Sequence, residues 1–355
     1  MGFFDGKLRG SESLFSNELA LDVDYLPPVI KFRENQQQEI AVCIKPVFTG
    51  RPGRNLIISG SPGIGKTAAV RAVLREVEKE SDDIYTVYIN CWKKETAFKI
   101  ASDLCEQVGY KWVHNKRSDE LFDAAAAIIN KQAAVIVLDE IDKLTDFSAL
   151  YAILEDIQKK CVILITNNNE FLSEIDARVR SRLMAGMLDF KSYTMEETLG
   201  ILQQRVDYAF IPKVMESRVL QILAKKTWEA ADIRAGLFLL REAGLSAERA
   251  GVKKIEEKHA NEAVTQFPNF MQKKTGDLDT ETQQILGLIK KNSGTSTSEV
   301  FTLYQKEGGD KTFRTFQRKI KDLAEANLIR TKEVNKGSDE GRSTIVEFKT
   351  TLNDF

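Results

Sequence analysis

The chain has 355 residues, a length that corresponds to two or three domains and excludes a single small one. Its 51 basic and 52 acidic side chains give a formal net charge of -1, and 43% of the residues are hydrophobic, which excludes a disordered polypeptide. No apolar run approaches the roughly 18 residues that cross a bilayer. The first residues also lack the basic, apolar and small-residue regions of a secretory signal. We therefore expect a cytoplasmic protein with no membrane partner.

The first part of the chain alternates short apolar runs with amphipathic stretches. Four runs are too short for helices and nearly all apolar, as expected of strands buried on both faces: residues 55–59, 84–90, 134–138 and 162–166. Apolar positions recur at helical spacing in three stretches between them: residues 66–79, 96–108 and 119–130. Strands that alternate with helices predict an α/β domain with a covered parallel sheet, which we assign to residues 1–192.

Two further domains are predicted after this one. Strand signals are absent from residues 193–272, and Ile233, Leu237 and Leu240 repeat at helical spacing, which predicts a small all-helical domain. We interpret residues 267–276, with a proline, a charge pair and a terminal glycine, as a linker. Residues 278–355 contain three amphipathic stretches and then two strand-like runs around a turn, the pattern of a winged helix-turn-helix.

Residues 60–67, GSPGIGKT, match the phosphate-loop pattern GxxxxGK[ST]. In such a loop, backbone N–H groups and a helix N-terminus surround the phosphates, the lysine reaches the β- and γ-phosphates, and the hydroxyl binds Mg²⁺. A glycine-rich turn without a ligand is the alternative, but a predicted strand precedes the loop and a predicted helix follows it. We therefore predict a site for ATP or ADP with Mg²⁺, formed by Gly60, Ser61, Pro62, Gly63, Ile64, Gly65, Lys66, Thr67 and Ala68.

Polar residues that suit phosphate chemistry follow two later strands. Asp139 and Glu140 come directly after the apolar residues 135–138, where Asp139 is predicted to hold the metal with Thr67 and Glu140 to polarise the attacking water. Asn167 follows the next apolar run and is predicted to hold the lytic water or touch the γ-phosphate. Asparagine also favours turns for local reasons, so a purely structural role of Asn167 stays open.

Several arginines downstream are candidates for contacts with phosphate. Arg178, Arg180 and Arg182 precede the next predicted strand and suit an arginine finger donated to a neighbouring subunit, which is worth about 10³ to 10⁵ in rate where it operates. Arg234 begins a helix of the second domain, from which it can reach the γ-phosphate. Ordinary surface charge is the alternative for all four.

The order of these motifs resembles the archaeal replication initiators, relatives of the eukaryotic origin-recognition and cell-division-cycle loading proteins within the AAA+ ATPases. The resemblance rests on GSPGIGKT, VIVLDEIDKL, LITNNN, IDARVRSRL, YTMEETLGILQQR, ADIRAGLFLLREAG and the terminal winged helix. It implies an AAA+ parallel-sheet ATPase domain, an all-helical lid and a C-terminal winged-helix domain that binds DNA.

The resemblance also implies roles for individual residues. Asn167 becomes the first sensor and Arg234 the second, and the finger is either Arg178 or Arg182, with Arg180 a weaker candidate. Residues of the nucleotide site outside the phosphate loop are implied to be Val29, Ile30 and Arg33, beside adenine, and Tyr193 and Arg205. An initiator-specific helical insertion is expected within residues 92–117.

The C-terminal module carries local positive charge. Residues 311–342 contain nine basic and five acidic side chains, a net charge of +4 in a chain that is nearly neutral. We predict that its third helix enters the major groove and that the wing reaches the backbone or minor groove. Candidate DNA contacts are Lys311, Arg314, Arg318, Lys319, Lys332, Lys336 and Arg342. A winged helix that docks proteins is the alternative.

These features together predict an ATP-dependent replication initiator that is associated with the nucleoid. It binds double-stranded origin DNA, helps recruit or load the replicative helicase, acts with other copies or paralogues of the initiator, and uses slow ATP hydrolysis as a switch. One alternative is a clamp loader or transposition helper that shares the AAA+ core. Another is a non-hydrolysing DNA-binding regulator, against which the intact Lys66, Thr67, Asp139 and Glu140 argue.

Overall fold

The structure is a computed structural model that describes residues 13–144, 146–168, 175–276, 280–309, 311–325, 328–335 and 342–348. Internal contacts divide the chain into two compact units, one of Asn17–Ala209 with Ala231–Leu237 and one of Met1–Ser16, Phe210–Ala230 and Phe238–Phe355. Within the described ranges, no helix combines the length and the apolar character that a bilayer crossing requires.

The core of the first unit is a parallel β-sheet. Its strands are β1 (Leu56–Ser59), β2 (Ile84–Asn90), β3 (Ala133–Asp139), β4 (Lys160–Ile165) and β5 (Gly186–Asp189). They lie in the order β2-β3-β4-β1-β5, and every pairing between them is parallel. These strands confirm the predicted α/β class, and the four apolar runs correspond to β1 to β4.

Helices cover both faces of this sheet. They are α1 (Glu34–Ile44), α2 (Lys66–Glu80), α3 (Ala97–Gln107), α4 (Ser118–Ile129), α5 (Ser148–Asp156) and α6 (Ala177–Leu183). A further helix, α7 (Met195–Ala209), belongs to the same unit. Successive side chains of a strand point to opposite faces. Accordingly, Ile136 and Leu138 of β3 pack with α3, α4 and α5, whereas Val135 and Val137 pack with α1 and α2. A strand buried on both faces must be apolar throughout, which explains its sequence.

The family insertion was expected in residues 92–117. In the described chain two helices, α3 and α4, separate β2 from β3, and α3 lies inside that window. Thr96 caps α3 by accepting a hydrogen bond from the Lys99 backbone N–H. The identity of α3 with the insertion stays a prediction.

The second unit contains α8 (Ser217–Ala230), most of α9 (Ile233–Arg249) and α10 (Glu257–Gly276). Helix α10 corrects one prediction, because residues 267–276 continue a helix and are not a linker. Proline costs about 3 kcal/mol inside a helix but does not forbid one. Ala263 and Phe267, which precede the proline, are buried, so packing favours the helix. The predicted boundaries at 192 and 272 stay predictions, and α7 groups with the sheet.

The end of the chain has the elements predicted for a winged helix. They are α11 (Thr280–Lys291), β6 (Thr295–Ser296), α12 (Thr297–Lys306), α13 (Phe313–Glu325), β7 (Ile329–Asn335) and β8 (Arg342–Phe348). The three strands form an antiparallel sheet in the order β6-β8-β7, of which the short β6 was not predicted. Ile285, Val300, Phe316, Leu323 and Val346 form its buried core. Phe316 and Ile320 face that core, whereas Phe313 is partly exposed and packs on Phe301.

The two-sided burial of β3 leads to a stability prediction. We expect Ile136→Ala to lower the free energy of unfolding of the sheet domain by about 2 to 5 kcal/mol, because Ile136 is 0% exposed and its truncation leaves a cavity. The matched control is Met187→Ala on β5, where the side chain is 49% exposed and the cost is below about 0.5 kcal/mol. Urea unfolding followed by circular dichroism measures both, and equal shifts in midpoint would contradict this difference in packing.

Candidate functional site

The loop between β1 and α2 is shaped by its glycines. Gly60, Gly63 and Gly65 have φ angles of 141°, 76° and 88°, a region that L side chains rarely adopt. A Cβ atom on Gly60 would lie 2.5 Å from the Phe190 carbonyl oxygen, so no larger residue fits. Ile64 is buried in the core below and anchors the loop. The loop therefore curls over the N-terminus of α2, whose backbone N–H groups form the positive end of the helix.

Lys66 turns back into this loop. Its Nζ donates hydrogen bonds to the carbonyl oxygens of Gly60 (2.6 Å) and Ser61 (2.8 Å) and to Asn167 Oδ1 (2.7 Å). Burial lowers the pKa of Lys66 to about 8, although nearby Asp139 opposes the shift. Lys66 and Asn167, which the sequence placed in two separate motifs of the nucleotide site, are thus in contact. The Lys66 ammonium is a buried cation beside the loop.

Asp139 ends β3 and receives three hydrogen bonds. Its Oδ2 accepts from the hydroxyls of Thr67 (2.7 Å) and Tyr88 (2.6 Å), and its Oδ1 accepts from the Glu140 backbone N–H (2.9 Å). Carboxylate and hydroxyl oxygens are ligands that Mg²⁺ accepts in proteins. The donor set of Thr67 and Asp139 therefore fits the predicted metal.

Glu140 is held in an unusual conformation beside Asp139. It has φ 55° and ψ 44°, in the left-handed region that non-glycine residues rarely occupy. Its Oε2 is buried and has no hydrogen-bond partner among the described residues. Burial raises the pKa of Glu140, and the neighbouring Asp139 and Asp142 carboxylates raise it further. A half-buried carboxylate with a raised pKa and an unpaired buried oxygen is compatible with a role in polarising water, and this role stays a prediction.

Two polar residues of this site were missed by sequence reasoning. Asp142 Oδ1 accepts hydrogen bonds from Thr166 Oγ1 (2.9 Å) and from the Asn167 backbone N–H (3.3 Å), so it ties the turn after β3 to the end of β4. Tyr88 on β2 donates to Asp139. The acid in LDEIDKL was a signal for Asp142, whereas the position of Tyr88 depends on the pairing of β2 with β3.

The N-terminal residues implied to lie beside adenine partly border the loop. Arg33 is buried, donates to the Ile64 carbonyl oxygen (3.0 Å), and lies 3.8 Å from the centre of the Tyr193 ring. If Gly65 carried a Cβ atom, that atom would lie 2.7 Å from Tyr193 Oη, so the Tyr193 hydroxyl is in close contact with this glycine. Arg33 and Tyr193 therefore pack against the phosphate loop at Ile64 and Gly65. Ile30 is buried, and Val29 is exposed.

Arg205 is placed differently from these residues. Its guanidinium donates to the carbonyl oxygens of Ala20 (3.0 Å) and Tyr25 (3.2 Å) and lies 5.4 Å from the centre of the Tyr25 ring. Arg205 therefore fastens the N-terminal segment to α7, and the structure does not bring it to the phosphate loop. Its signal in the sequence came only from the family resemblance.

Arg234 lies next to the loop but is paired with an acid. Its Nε and Nη2 donate to the two carboxylate oxygens of Asp232, at 3.0 and 2.9 Å. If Gly63 carried a Cβ atom, that atom would lie 2.1 Å from Asp232 Oδ1, so Asp232 is in close contact with this glycine. The Ile233 backbone N–H also donates to the Gly63 carbonyl oxygen at 3.1 Å. The start of α9 is thus attached to the phosphate loop, with the guanidinium directed to Asp232.

The arginines of α6 separate into two environments. Arg182 forms an ion pair with Glu155 of α5 and lies 5.1 Å from the centre of the Tyr151 ring. Arg178 is exposed, and its backbone N–H is capped by Asp176 Oδ1 at 2.7 Å. Both finger candidates are exposed, and Arg182 differs from Arg178 in its ion pair with Glu155.

The residues predicted to contact DNA differ in their exposure. Lys311, Arg314, Arg318 and Lys332 are exposed. The prediction that Lys319 contacts DNA is corrected, because its side chain is only 13% exposed. Its Nζ contacts Thr282 Oγ1 (2.9 Å) and Glu281 Oε2 (3.3 Å). It lies about 100° around the helix from Arg318, which turns it toward α11. Lys336 lies outside the described residues, as does the side chain of Arg342.

Known proteins resemble nearly the whole chain. A family model of the AAA domain matches residues 50–173, and a model of the Cdc6 AAA+ ATPase-type lid domain matches residues 199–265. ORC1-type DNA replication protein 1 of Archaeoglobus fulgidus is 30% identical over 344 residues, which cover 91% of this chain and 84% of that protein. ORC1-type DNA replication protein 2 of Methanothermobacter thermautotrophicus is 29% identical over 351 residues, which cover 93% and 91%.

Solved structures share the fold over similar lengths. The Aeropyrum pernix ORC1 protein in complex with DNA is 26% identical with a TM-score of 0.71, and the match covers 95% of this chain and 94% of that one. The Aeropyrum pernix ORC2 protein in its ADPNP–ADP complexes has a TM-score of 0.72 at 18% identity, with 94% of each chain covered, and shows the fold alone. The chain belongs to the family of ORC1-type DNA replication proteins, built on an AAA+ ATPase domain with a helical lid.

Proposed function

We propose that this protein is an ATP-dependent initiator of DNA replication, which binds double-stranded origin DNA and helps recruit or load the replicative helicase. The observation that carries the proposal is the joining of Lys66, Asn167, Thr67 and Asp139 around one phosphate loop. Family membership favours an initiator over a clamp loader or a transposition helper. The intact set of polar groups argues against a regulator that no longer hydrolyses nucleotide.

The site suits a nucleoside triphosphate. The loop offers backbone N–H groups at the N-terminus of α2, and Lys66 offers a buried ammonium that now contacts two carbonyls and an amide. Phosphate oxygens are stronger partners for this ammonium, because hydrogen bonds between charged groups are shorter and stronger. Thr67 and Asp139 would hold Mg²⁺, which neutralises charge on the phosphates. Arg33 and Tyr193 would keep the loop in shape.

Hydrolysis would depend on Glu140 and Asn167. The raised pKa of Glu140 brings this carboxylate closer to the pH at which a general base works best. Asn167, fixed through its backbone by Asp142, would orient the water or the γ-phosphate. Turnover by an isolated subunit would be slow, because the arginine from a neighbouring copy or paralogue is missing.

The pair of Arg234 and Asp232 provides the switch. In the described state Nε and Nη2 of Arg234 both donate to Asp232. A γ-phosphate would compete with Asp232 for this guanidinium, and ADP would not. Because Arg234 begins α9, the change of partner would alter the start of a lid helix, and nucleotide state would thus bias the arrangement of the protein.

DNA binding would use the exposed basic residues of the winged helix. Arg314 and Arg318 are four residues apart on α13, share one face, and lie opposite the buried Phe316 and Ile320. Lys311 and Lys332 extend the same positive charge, and Lys336 and Arg342 of the wing remain candidates. The ATPase domain would add contacts of its own.

We predict that Glu140→Gln separates binding from hydrolysis. The amide keeps the shape of the carboxylate but cannot accept a proton, so hydrolysis should fall by about 10² or more. Affinity for ATP should stay within about threefold of wild type. Phosphate release and nucleotide binding measure the two effects, and the exposed Glu76→Gln on α2 serves as the control. Unchanged hydrolysis in Glu140→Gln would refute the role given to Glu140.

We predict that Arg178, and not Arg182, is the finger. In protein assembled on DNA, Arg178→Ala should lower turnover toward that of the isolated subunit, a loss that reaches about 10³-fold where such fingers operate. Arg182→Ala should lose its ion pair with Glu155 but keep the assembled rate. Mixing Arg178→Ala with Glu140→Gln should restore activity, because one variant supplies a finger to the working site of the other. Failure of the mixture to recover would count against donation between subunits.

We predict that Arg318 contacts a DNA phosphate. Arg318→Ala should weaken binding to a short duplex and reduce the slope of log affinity against log salt concentration by about 0.9. The neighbouring Gln317→Ala, also exposed on α13, removes no charge and should leave the slope unchanged. Fluorescence anisotropy across a salt series measures both variants. Equal slopes for wild type and Arg318→Ala would remove Arg318 from the interface.

A further inference from the structure

Tyr88 is a residue for which the proposed chemistry has assigned no role. Its side chain extends from β2 toward the end of β3, where its hydroxyl donates to Asp139 Oδ2 at 2.6 Å. The Thr67 hydroxyl donates to the same oxygen at 2.7 Å. Asp139 itself is only 3% exposed. Two hydroxyl donors on one oxygen, together with the Glu140 N–H on the other, therefore fix the direction of a buried carboxylate.

Rigid elements hold Tyr88 in place. The strand pairing aligns Tyr88 with Val137 and Asn90 with Asp139, so β2 keeps a fixed register with the carboxylate. On the other side, the guanidinium carbon of Arg71 lies 4.2 Å from the centre of the Tyr88 ring. Arg71 is one helical turn after Thr67 on α2. The hydroxyls of Tyr88 and Thr67 are thus delivered to Asp139 by a strand and a helix that pack on each other.

The two hydroxyls differ in what they touch. In the proposed site Thr67 is a metal ligand itself, so its removal disturbs the ion directly. Tyr88 donates its hydroxyl to Asp139 and is not a ligand in the proposed site, so we expect it to act on the ion through that carboxylate. Hydrogen bonds to a ligating carboxylate orient it, and their loss typically weakens metal affinity by about 10- to 100-fold.

We propose that Tyr88 is a positioning residue for the divalent cation, because its hydroxyl holds the Asp139 carboxylate in the orientation in which Asp139 binds Mg²⁺ with Thr67. The inference rests on the proposed function, since it concerns the same metal site. It assigns to β2 a part in nucleotide binding that the motifs of the phosphate loop and β3 do not contain.

The test compares Tyr88→Phe with Tyr85→Phe in the full chain. Tyr88→Phe removes one hydroxyl and keeps the ring that packs in the core and contacts Arg71. Tyr85→Phe removes a hydroxyl from the same strand, but its ring packs against the core cluster on the other face of the sheet. ADP affinity is measured with saturating Mg²⁺ and with EDTA, and the ratio of the two affinities reports the contribution of the metal.

We expect the affinity ratio to fall by about tenfold or more in Tyr88→Phe and to stay unchanged in Tyr85→Phe. ADP affinity in EDTA should equal that of wild type in both variants. An unchanged ratio in Tyr88→Phe, with a metal effect present in wild type, would overturn the inference alone. Lost affinity in EDTA would show that Tyr88 shapes the phosphate loop and would also overturn it. Absence of any metal effect in wild type would overturn the proposed metal site and this inference with it.

Discussion

Lys66 and Asp139 are two opposite charges buried at one edge of a parallel sheet. Each of them needs polar partners, and the rest of the site provides these partners. Lys66 is 6% exposed and Asp139 is 3% exposed. Burying either charge without partners would be costly. Lys66 therefore contacts carbonyl and amide oxygens, and Asp139 contacts hydroxyls and a backbone N–H. A magnesium nucleotide matches both charges, with phosphate for Lys66 and a cation for Asp139.

The order of the strands explains why these charges meet. Strands β3, β4 and β1 are neighbours, and Asp139, Asn167 and the phosphate loop follow them at their carboxyl ends. Ligands of open α/β sheets bind at this edge. Asp142 and Tyr88 then add hydrogen bonds between adjacent strands, so the polar groups form one connected network. Such networks are strong when every polar group in them has a hydrogen-bond partner. In the described site, Glu140 Oε2 is a buried acceptor without such a partner.

The start of α9 is in contact with the same site. The Ile233 N–H donates to the Gly63 carbonyl oxygen, the Asp232 carboxylate lies beside Gly63, and Arg234 is paired with Asp232. The helix continues into the second unit, which also contains α11, α12 and α13. In the proposed function, a γ-phosphate would compete with Asp232 for Arg234 and so act on the start of this helix.

Local patterns predicted much of this architecture, since they depend on neighbouring residues. The apolar runs predicted β1 to β4 because a strand buried on two faces needs apolar residues at every position. The glycines of the phosphate loop are required by the positive φ angles of the chain. Lys66, Thr67, Asp139 and Glu140 could therefore be identified as a site from two short motifs. The error at residues 267–276 arose because a proline weighs less than the packing of a whole helix.

Contacts between distant segments required the tertiary structure. The sequence of the chain by itself determined the phosphate loop and the acidic end of β3, because each depends on a short run of consecutive residues. Only the folded chain decided that Arg205 fastens the N-terminal segment, that Arg182 is paired with Glu155 and that Lys319 turns inward. It also decided that Tyr88 reaches Asp139. Each of these outcomes depends on which helices and strands become neighbours, and packing of the whole domain fixes that choice.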